Sequence, residues 1–209
     1  GYTGASPALM GACAQRNIEL SFMSGNGRFL ARVSGEEKGN VTLRKTQYRI
    51  SEKKEESVKI AKNFILGKVY NARWVLERAA RDYSMRLDAE LLKKKSAFLG
   101  QSMNKIRECE DAGALLGLEG EAASVYFSAF DERILQQKED FYFHGRNKRP
   151  PLDNVNAMLS FGYSLLAGMC GSALETVGLD PYVGFFHTDR PGRMSLALDL
   201  MEEFRSVMV

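Results

Sequence analysis

Apolar positions recur every three or four residues over most of this chain and alternate in twos only near its start. Ile18-Glu19-Leu20-Ser21-Phe22 and Arg28-Phe29-Leu30-Ala31-Arg32-Val33 alternate in the strand manner, with Gly25-Asn26-Gly27 between them as a hairpin turn. Ahead of them residues 6–16 read as a short helix, with Ser6 as its cap and Pro7 at its first position. Residues 35–40 are polar and turn-like. Val58, Ala61, Ile65, Val69 and Ala72 then keep helical spacing, predicting a long helix opened by the charged segment 51–56. A second helix is predicted over 85–111, with Leu87, Leu91, Leu92, Phe98, Leu99 and Ile106 inward. A third starts at Leu115 and continues through Tyr126, Phe127 and Phe130 to Ile134. Asp153 caps a charge-free helix over 154–176, whose glycines and alanines predict a path through the middle of a helical domain. A strand-like apolar run ends at His187, and a last helix starts at Ser195. The expected fold is mixed and mainly α.

Composition narrows the class. At 44% apolar and 26% charged residues, the chain is an ordinary globular protein. A net charge of +3 is too mild to establish nucleic-acid binding, so the placement of the cations decides. Three scattered cysteines, Cys13, Cys109 and Cys170, exclude a disulfide scaffold and a thiolate zinc site and indicate a reducing compartment. With just two histidines, His144 and His187, no multi-histidine metal cage can form. No signal peptide is visible. The apolar run 154–174 carries Asn154, Asn156, Ser160, Tyr163 and Ser164, so it reads as a buried core helix. The expected setting is cytoplasmic, without a membrane. The chain starts without Met and stops inside a helical pattern, which reads as a piece of a longer protein.

The chemistry gathers near the end. His187 is followed by a loop with Arg190, Pro191, Gly192 and Arg193, and then by a helix carrying Asp199 and Glu202. Residues three apart are neighbours on one helix face, so these two acids repel unless a positive group lies between or above them. An imidazole, paired acids and a basic loop suggest a divalent ion beside a phosphate. The plainer reading is a solvated acidic face and a structural histidine. Glu119 sits among Gly117, Gly120 and Ala123, a stripe that would let another backbone or a ligand approach closely. Phe141 to Pro151 places aromatics before Arg146, Lys148 and Arg149, which suits a nucleic-acid backbone or a merely exposed basic connector. The run Lys93-Lys94-Lys95 reads as a solvated face.

Several motifs then fall into one order. These are Leu118-Glu119-Gly120 with Ala122-Ala123, Arg149-Pro150-Pro151-Leu152-Asp153, Gly178-Leu179-Asp180-Pro181, Gly184-Phe185-Phe186-His187 with Asp189-Arg190-Pro191-Gly192-Arg193, and Asp199-Leu200-Met201-Glu202-Glu203-Phe204-Arg205. Together they resemble the CRISPR spacer-acquisition integrases, the Cas-one family, and their wording is most like the subtype I-C branch. The resemblance implies that residues 1–48 are the remainder of a β-rich N-terminal domain and 49–209 an α-helical catalytic domain. It implies a metal-dependent DNA integrase and endonuclease of CRISPR adaptation that joins 3′-OH ends of short DNA to the repeat array. Carried over by motif, the metal ligands are Glu119, His187 and Glu202, with Asp199 a secondary ligand or orienting group. Arg190 matches a family cation near DNA, and Arg193, Arg146, Lys148 and Arg149 are further candidates for phosphate contacts. The implied partners are double-stranded and branched DNA, a second copy of the full-length chain, a small adaptation subunit (Cas-two), and a Cas-four-family nuclease.

One nitrogen and two or three carboxylates make an oxygen-rich site, which favours Mg²⁺ or Mn²⁺ over structural zinc. Two other readings remain open beside the enzyme. A non-catalytic DNA-binding scaffold would bind without metal, and a helical protein-interaction module would show no salt-dependent DNA affinity.

Overall fold

A computed structural model describes residues 3–16, 18, 20–25, 29–33, 35 and 40–209. Among them, helix α1 (Pro7–Gln15) precedes an antiparallel pair, β1 (Leu20–Met23) and β2 (Phe29–Val33). Ser6 caps α1 by accepting the Leu9 N–H, with Pro7 next to it. Asn26 and Gly27 of the expected turn and most of segment 35–40 lie outside the described residues. Helices α2 (Val41–Ser51), α3 (Lys54–Asp82), α4 (Ala89–Glu108), α5 (Ala112–Ser128), α6 (Asn154–Thr176) and α7 (Ser195–Met208) make up most of the rest.

The long helix α3 is the centre of the packing. Its stripe of Ala61, Ile65, Val69, Ala72 and Leu76 is buried against Leu92, Leu99 and Ile106 of α4 and Leu115 and Ala122 of α5. Burying such side chains stabilises by about 1.5–3 kcal/mol each, so this stripe fixes the α3–α4–α5 arrangement. A second cluster joins Leu166, Cys170 and Leu174 of α6 to Leu196, Ala197 and Met201 of α7. α7 also crosses α3 closely at Gly67, where an added Cβ would meet Glu203 Cγ at 2.8 Å. Asn71 Nδ2 donates to the Glu203 carbonyl at 2.7 Å beside this crossing.

Several expectations need correction. α2 was not foreseen, because Gln47 fills the buried place that helical spacing reserves for an apolar residue. Gln47 Nε2 donates to the carbonyls of Asp180 (2.8 Å) and Val183 (2.9 Å), and its Oε1 accepts the Asp180 N–H, so α2 anchors the loop after α6. Residues 48 and 49 both belong to α2. The charged segment 51–56 opens α3 only from Lys54, and α4 is shorter at both ends than 85–111, with Asp88 as its cap. α5 ends at Ser128, short of Ile134. A 3₁₀ turn at Asp131–Arg133 follows, and Asp131 Oδ1 accepts the Phe143 N–H at 2.7 Å, folding the aromatic segment back onto Phe127 and Phe130.

The apolar run before His187 is not a strand, since its N–H groups go to a side chain of α7 rather than to a ladder. Gly117 and Gly120 have nothing within 4 Å of an added Cβ, so no neighbouring backbone exploits that stripe. α6 does not run through the middle of the domain: Met158, Phe161 and Met169 stay exposed while its other face packs on α7. By length and composition this helix could cross a membrane, with mean hydropathy 1.4 and 28% of that window buried.

Candidate active site

The acidic residue foreseen on α7 as a secondary ligand or orienting group sits at the heart of a turn. Asp199 has no exposed surface. Its Oδ2 accepts the N–H groups of Phe185 (2.7 Å) and Phe186 (2.9 Å), and its Oδ1 accepts the His187 N–H (2.9 Å). His187 Nδ1 lies 2.7 Å from the same Oδ1. A carboxylate oxygen can only accept, so Nδ1 is the donor, and in the neutral imidazole Nε2 carries the lone pair. Gly184 permits this wrap, because a Cβ there would meet Ser195 Cβ at 2.8 Å and Asp199 Oδ2 at 3.0 Å. The start of α7 is held by Leu196 N–H on the Pro181 carbonyl at 3.0 Å.

One turn further on, Glu202 is almost fully buried and faces Lys68 of α3 and Arg205 of α7. Its Oε2 is 2.7 Å from Lys68 Nζ and its Oε1 2.9 Å from Arg205 Nη2. Lys68 Nζ also pairs with Oε1 of Glu119, from α5. One ammonium thus joins two acids from different helices. Burial pushes the Glu202 carboxyl up, but Lys68, Arg205 and His187 outweigh that and hold it below the usual carboxylate range. Apart from Lys68, Oε2 has no polar partner among the described residues.

A cleft of about 520 Å³ opens beside Lys68 and Glu119, lined also by Gly120, His144, Arg146, Lys148, Tyr163 and Arg205 among others. Arg146 and Arg205 flank the Tyr163 ring, with guanidinium carbons 5.5 and 5.0 Å from its centroid. Burial lowers the pKa of Lys148, and repulsion from Arg205 and Arg146 lowers it further. Crowded cations of this kind stabilise one another poorly until an anion arrives. The buried side chain of Asn156 shapes the wall. Its Oδ1 accepts from Arg146 Nη1 (2.7 Å) and Asn147 N–H (3.0 Å), and its Nδ2 donates to the Gly145 carbonyl (2.8 Å).

Of the residues singled out from sequence, Glu119, Arg146 and Lys148 line the cleft with Lys68, and Glu202 meets Glu119 through that lysine. Arg149 and Arg190 are exposed and do not line it. Arg193 is engaged with the Thr188 carbonyl and stiffens the loop after His187. Lys68, Tyr163 and Arg205 escaped the sequence reading. Lys68 had a legible signal: it falls in the stripe Ile65, Lys68, Val69, Ala72, and a charge in a buried stripe needs a partner.

Among the described residues, no three His, Cys, Asp or Glu side chains are gathered closely enough to hold a metal ion. The donor chemistry nonetheless fits one. Two carboxylates enclose a cation, one of their buried oxygens has no polar partner but that cation among the described residues, and Nε2 of a fixed imidazole belongs to the same loop–helix unit as Glu202.

Comparison with known proteins agrees with the order of the motifs. The whole chain, residues 1–209, matches the family described as CRISPR associated protein Cas1. It is 53% identical to a CRISPR-associated endonuclease Cas1 of Rhodospirillum rubrum, over 100% of this chain and 61% of the relative. A CRISPR-associated endonuclease Cas1 of Chlorobaculum tepidum is 47% identical over 99% of this chain and 60% of its own length. The chain therefore spans about 60% of the length of these curated relatives. In three dimensions it resembles a casposase bound to its integration product, with a TM-score of 0.75, 29% identity, 97% of this chain covered and 55% of the other.

Proposed function

This chain belongs to the CRISPR-associated Cas1 family, and from that premise we propose that it carries the catalytic centre of a metal-dependent DNA integrase and endonuclease. The observation that supports the reading best is the Glu119–Lys68–Glu202 unit, an acid pair bound to one cation, of which Glu119 and Lys68 line a basic cleft. Glu119, Glu202 and His187 Nε2 would hold the ion, with Asp199 fixing the imidazole through Nδ1. A bound Mg²⁺ or Mn²⁺ would lower the pKa of an attacking hydroxyl and neutralise charge building on phosphorus.

The protein's own side chains do the rest. Arg146, Lys148 and Arg205 draw the DNA backbone into the cleft, and a guanidinium's planar fork suits a phosphate held in line. The 3′-oxygen of an incoming fragment bonds to phosphorus at the edge of the repeat, the bond to the departing 3′-oxygen breaks, and the attacking hydroxyl's proton ends on that leaving oxygen or in water. One phosphodiester replaces another, so the bond needs no nucleotide hydrolysis. With water as nucleophile the same centre would cut branched DNA. Double-stranded and branched DNA as substrate, pairing with a second copy, a Cas-two subunit and a Cas-four-family nuclease as partners, and kinship to the subtype I-C branch all belong to this proposal.

Strand transfer and cleavage on branched DNA with and without Mn²⁺ test it. Glu119→Gln and His187→Ala should each lower both activities at least about a hundredfold while leaving DNA binding near its original strength. Full Mn²⁺-dependent activity in either variant would exclude this ligand set. DNA binding with no metal dependence would instead favour a scaffold.

A further inference from the structure

Lys68 is not explained by a metal-binding role for its two partners, since an ammonium placed between two ligands stands where the ion would have to be. Its Nζ contacts Oε1 of Glu119 and lies 2.7 Å from Oε2 of Glu202. The carboxylates come from α5 and α7, and two such groups cannot stay ionised side by side without a cation between them. Lys68 is itself mostly buried and pinned beside Gly67, at the crossing where α7 comes closest to α3. The same side chain also lines the cleft alongside Arg146, Lys148 and Arg205. A lysine has a flexible four-carbon stem and can change partners within its reach.

We propose that Lys68 is a positioning residue: a tethered cation that keeps Glu119 and Glu202 together before metal binds and then moves to the DNA phosphate in the cleft. The inference rests on the metal-dependent reading above. Three observations favour exchange over a permanent salt bridge. Lys68 is the one polar group that meets the buried Oε2 of Glu202 among the described residues, so its departure leaves that oxygen open to another cation. Among the described residues no third His, Cys, Asp or Glu side chain is gathered with the two acids, so a divalent ion held by them would have to take the ammonium's place. The route off the acids leads into a cleft already lined with cations, where a phosphate is the fitting acceptor. Ammonium and divalent ion are thus alternative occupants of one place, and each lowers the affinity of the other.

Calorimetry with Mn²⁺ on the 209-residue chain without DNA tests the first half. Lys68→Met should bind Mn²⁺ at least about tenfold more tightly than the original chain, because the competing cation is gone. A purely structural salt bridge predicts the reverse, as the acids would drift apart. Should Lys68→Met not fold, Lys68→Gln, which keeps an N–H between the acids, makes the same measurement. The second half is read from the salt dependence of affinity for a short DNA duplex. In Mn²⁺, Lys68→Met should reduce the slope of log affinity against log salt by about one, and in EDTA it should leave the slope unchanged. Equal Mn²⁺ affinities, or a slope change independent of metal, would overturn the exchange while leaving the metal reading intact. Absence of Mn²⁺ heat from both chains would remove the metal reading and this inference together.

Discussion

Nδ1 of His187 donates to Oδ1 of Asp199 across 2.7 Å, and that carboxylate has no exposed surface. Asp199 is therefore a structural hub before it is anything else, accepting three backbone N–H groups as well as the imidazole. Asp199→Asn would place an amide NH₂ opposite two donors whichever way the side chain turned. The expected loss is about 2–4 kcal/mol of stability, seen as a lower urea midpoint. Since the imidazole would lose its fixed tautomer, activity should fall further than the folded fraction does. A variant of unchanged stability would mean that the turn 184–187 is not organised by this acid.

Gly184 is the other half of that turn. A methyl there would lie 2.8 Å from Ser195 Cβ and 3.0 Å from both Asp199 Oδ2 and the His187 carbonyl. None of these belongs to a flexible side-chain end. Gly184→Ala is expected to destabilise by about 1–3 kcal/mol and to reduce strand transfer with His187 itself unaltered. Thermal unfolding with a parallel activity assay would check both, and wild-type behaviour in the two would refute the packing argument.

The legibility of the sequence varied with what each residue had to do. α3, α6 and α7 announced themselves because their buried faces carry apolar residues at helical spacing. α2 stayed hidden because Gln47, a polar residue, occupies its buried position and is satisfied by carbonyls far along the chain. The turn before His187 looked like a strand because Phe185 and Phe186 are apolar, while the acceptor of their N–H groups lies thirteen or fourteen positions away. The candidate acids could be named from their motifs; for Lys68 the buried stripe signals that a partner is needed, but no local pattern says which acids it will meet. The exposed face of α6 was likewise unreadable, since glycines and a charge-free run describe a core helix equally well.

The thiols offer a check on the α6–α7 packing. Burial pushes the Cys170 pKa up to about 11, with the nearby Glu203 carboxylate adding to the rise. At pH 7.5 its thiolate fraction falls below about one in a thousand. Cys109 is partly exposed at the end of α4. Brief alkylation of the native protein followed by mass spectrometry should therefore mark Cys109 well before Cys170, and urea should abolish the difference. Equal labelling without urea would contradict the packing of α6 on α7.

Asp153 gives a pH dependence with a definite sign. Burial alone would raise its pKa, but the Asn156 N–H (2.7 Å) and the side-chain amides of Asn156 and Asn147 outweigh that and hold it below the usual range. A depressed folded value means the stabilisation is present above the ordinary aspartate value of 3.8 and is lost as pH falls through the lower folded one. Asp153→Asn retains a capping oxygen for α6 but cannot titrate. Urea midpoints between about pH 2 and 5 should fall less steeply in the variant than in the original chain. Parallel curves would show that Asp153 is not a source of acid sensitivity.

Asn156 links the loop to the cleft without facing a substrate. It has no exposed surface, and through Arg146, Asn147, Gly145 and Asp153 it ties residues 145–153 to the start of α6. Leucine has nearly its shape and none of its hydrogen bonds, so Asn156→Leu would leave the Gly145 carbonyl only its long contact with Asn147 Nδ2 (3.5 Å), strand the Asn147 N–H and release one hold on Arg146. About 2–4 kcal/mol of stability should go, as expected for several buried polar groups left unpaired. Arg146 would keep its bond to Ser160 Oγ and its place beside Tyr163. The guanidinium would therefore stay near the cleft but lose its fixed orientation, and DNA affinity should weaken with little change in its salt slope, because no charge has been removed. A fall in that slope by a full unit would mean that the arginine had left the cleft altogether, and that Asn156 positions the charge itself and not merely its angle.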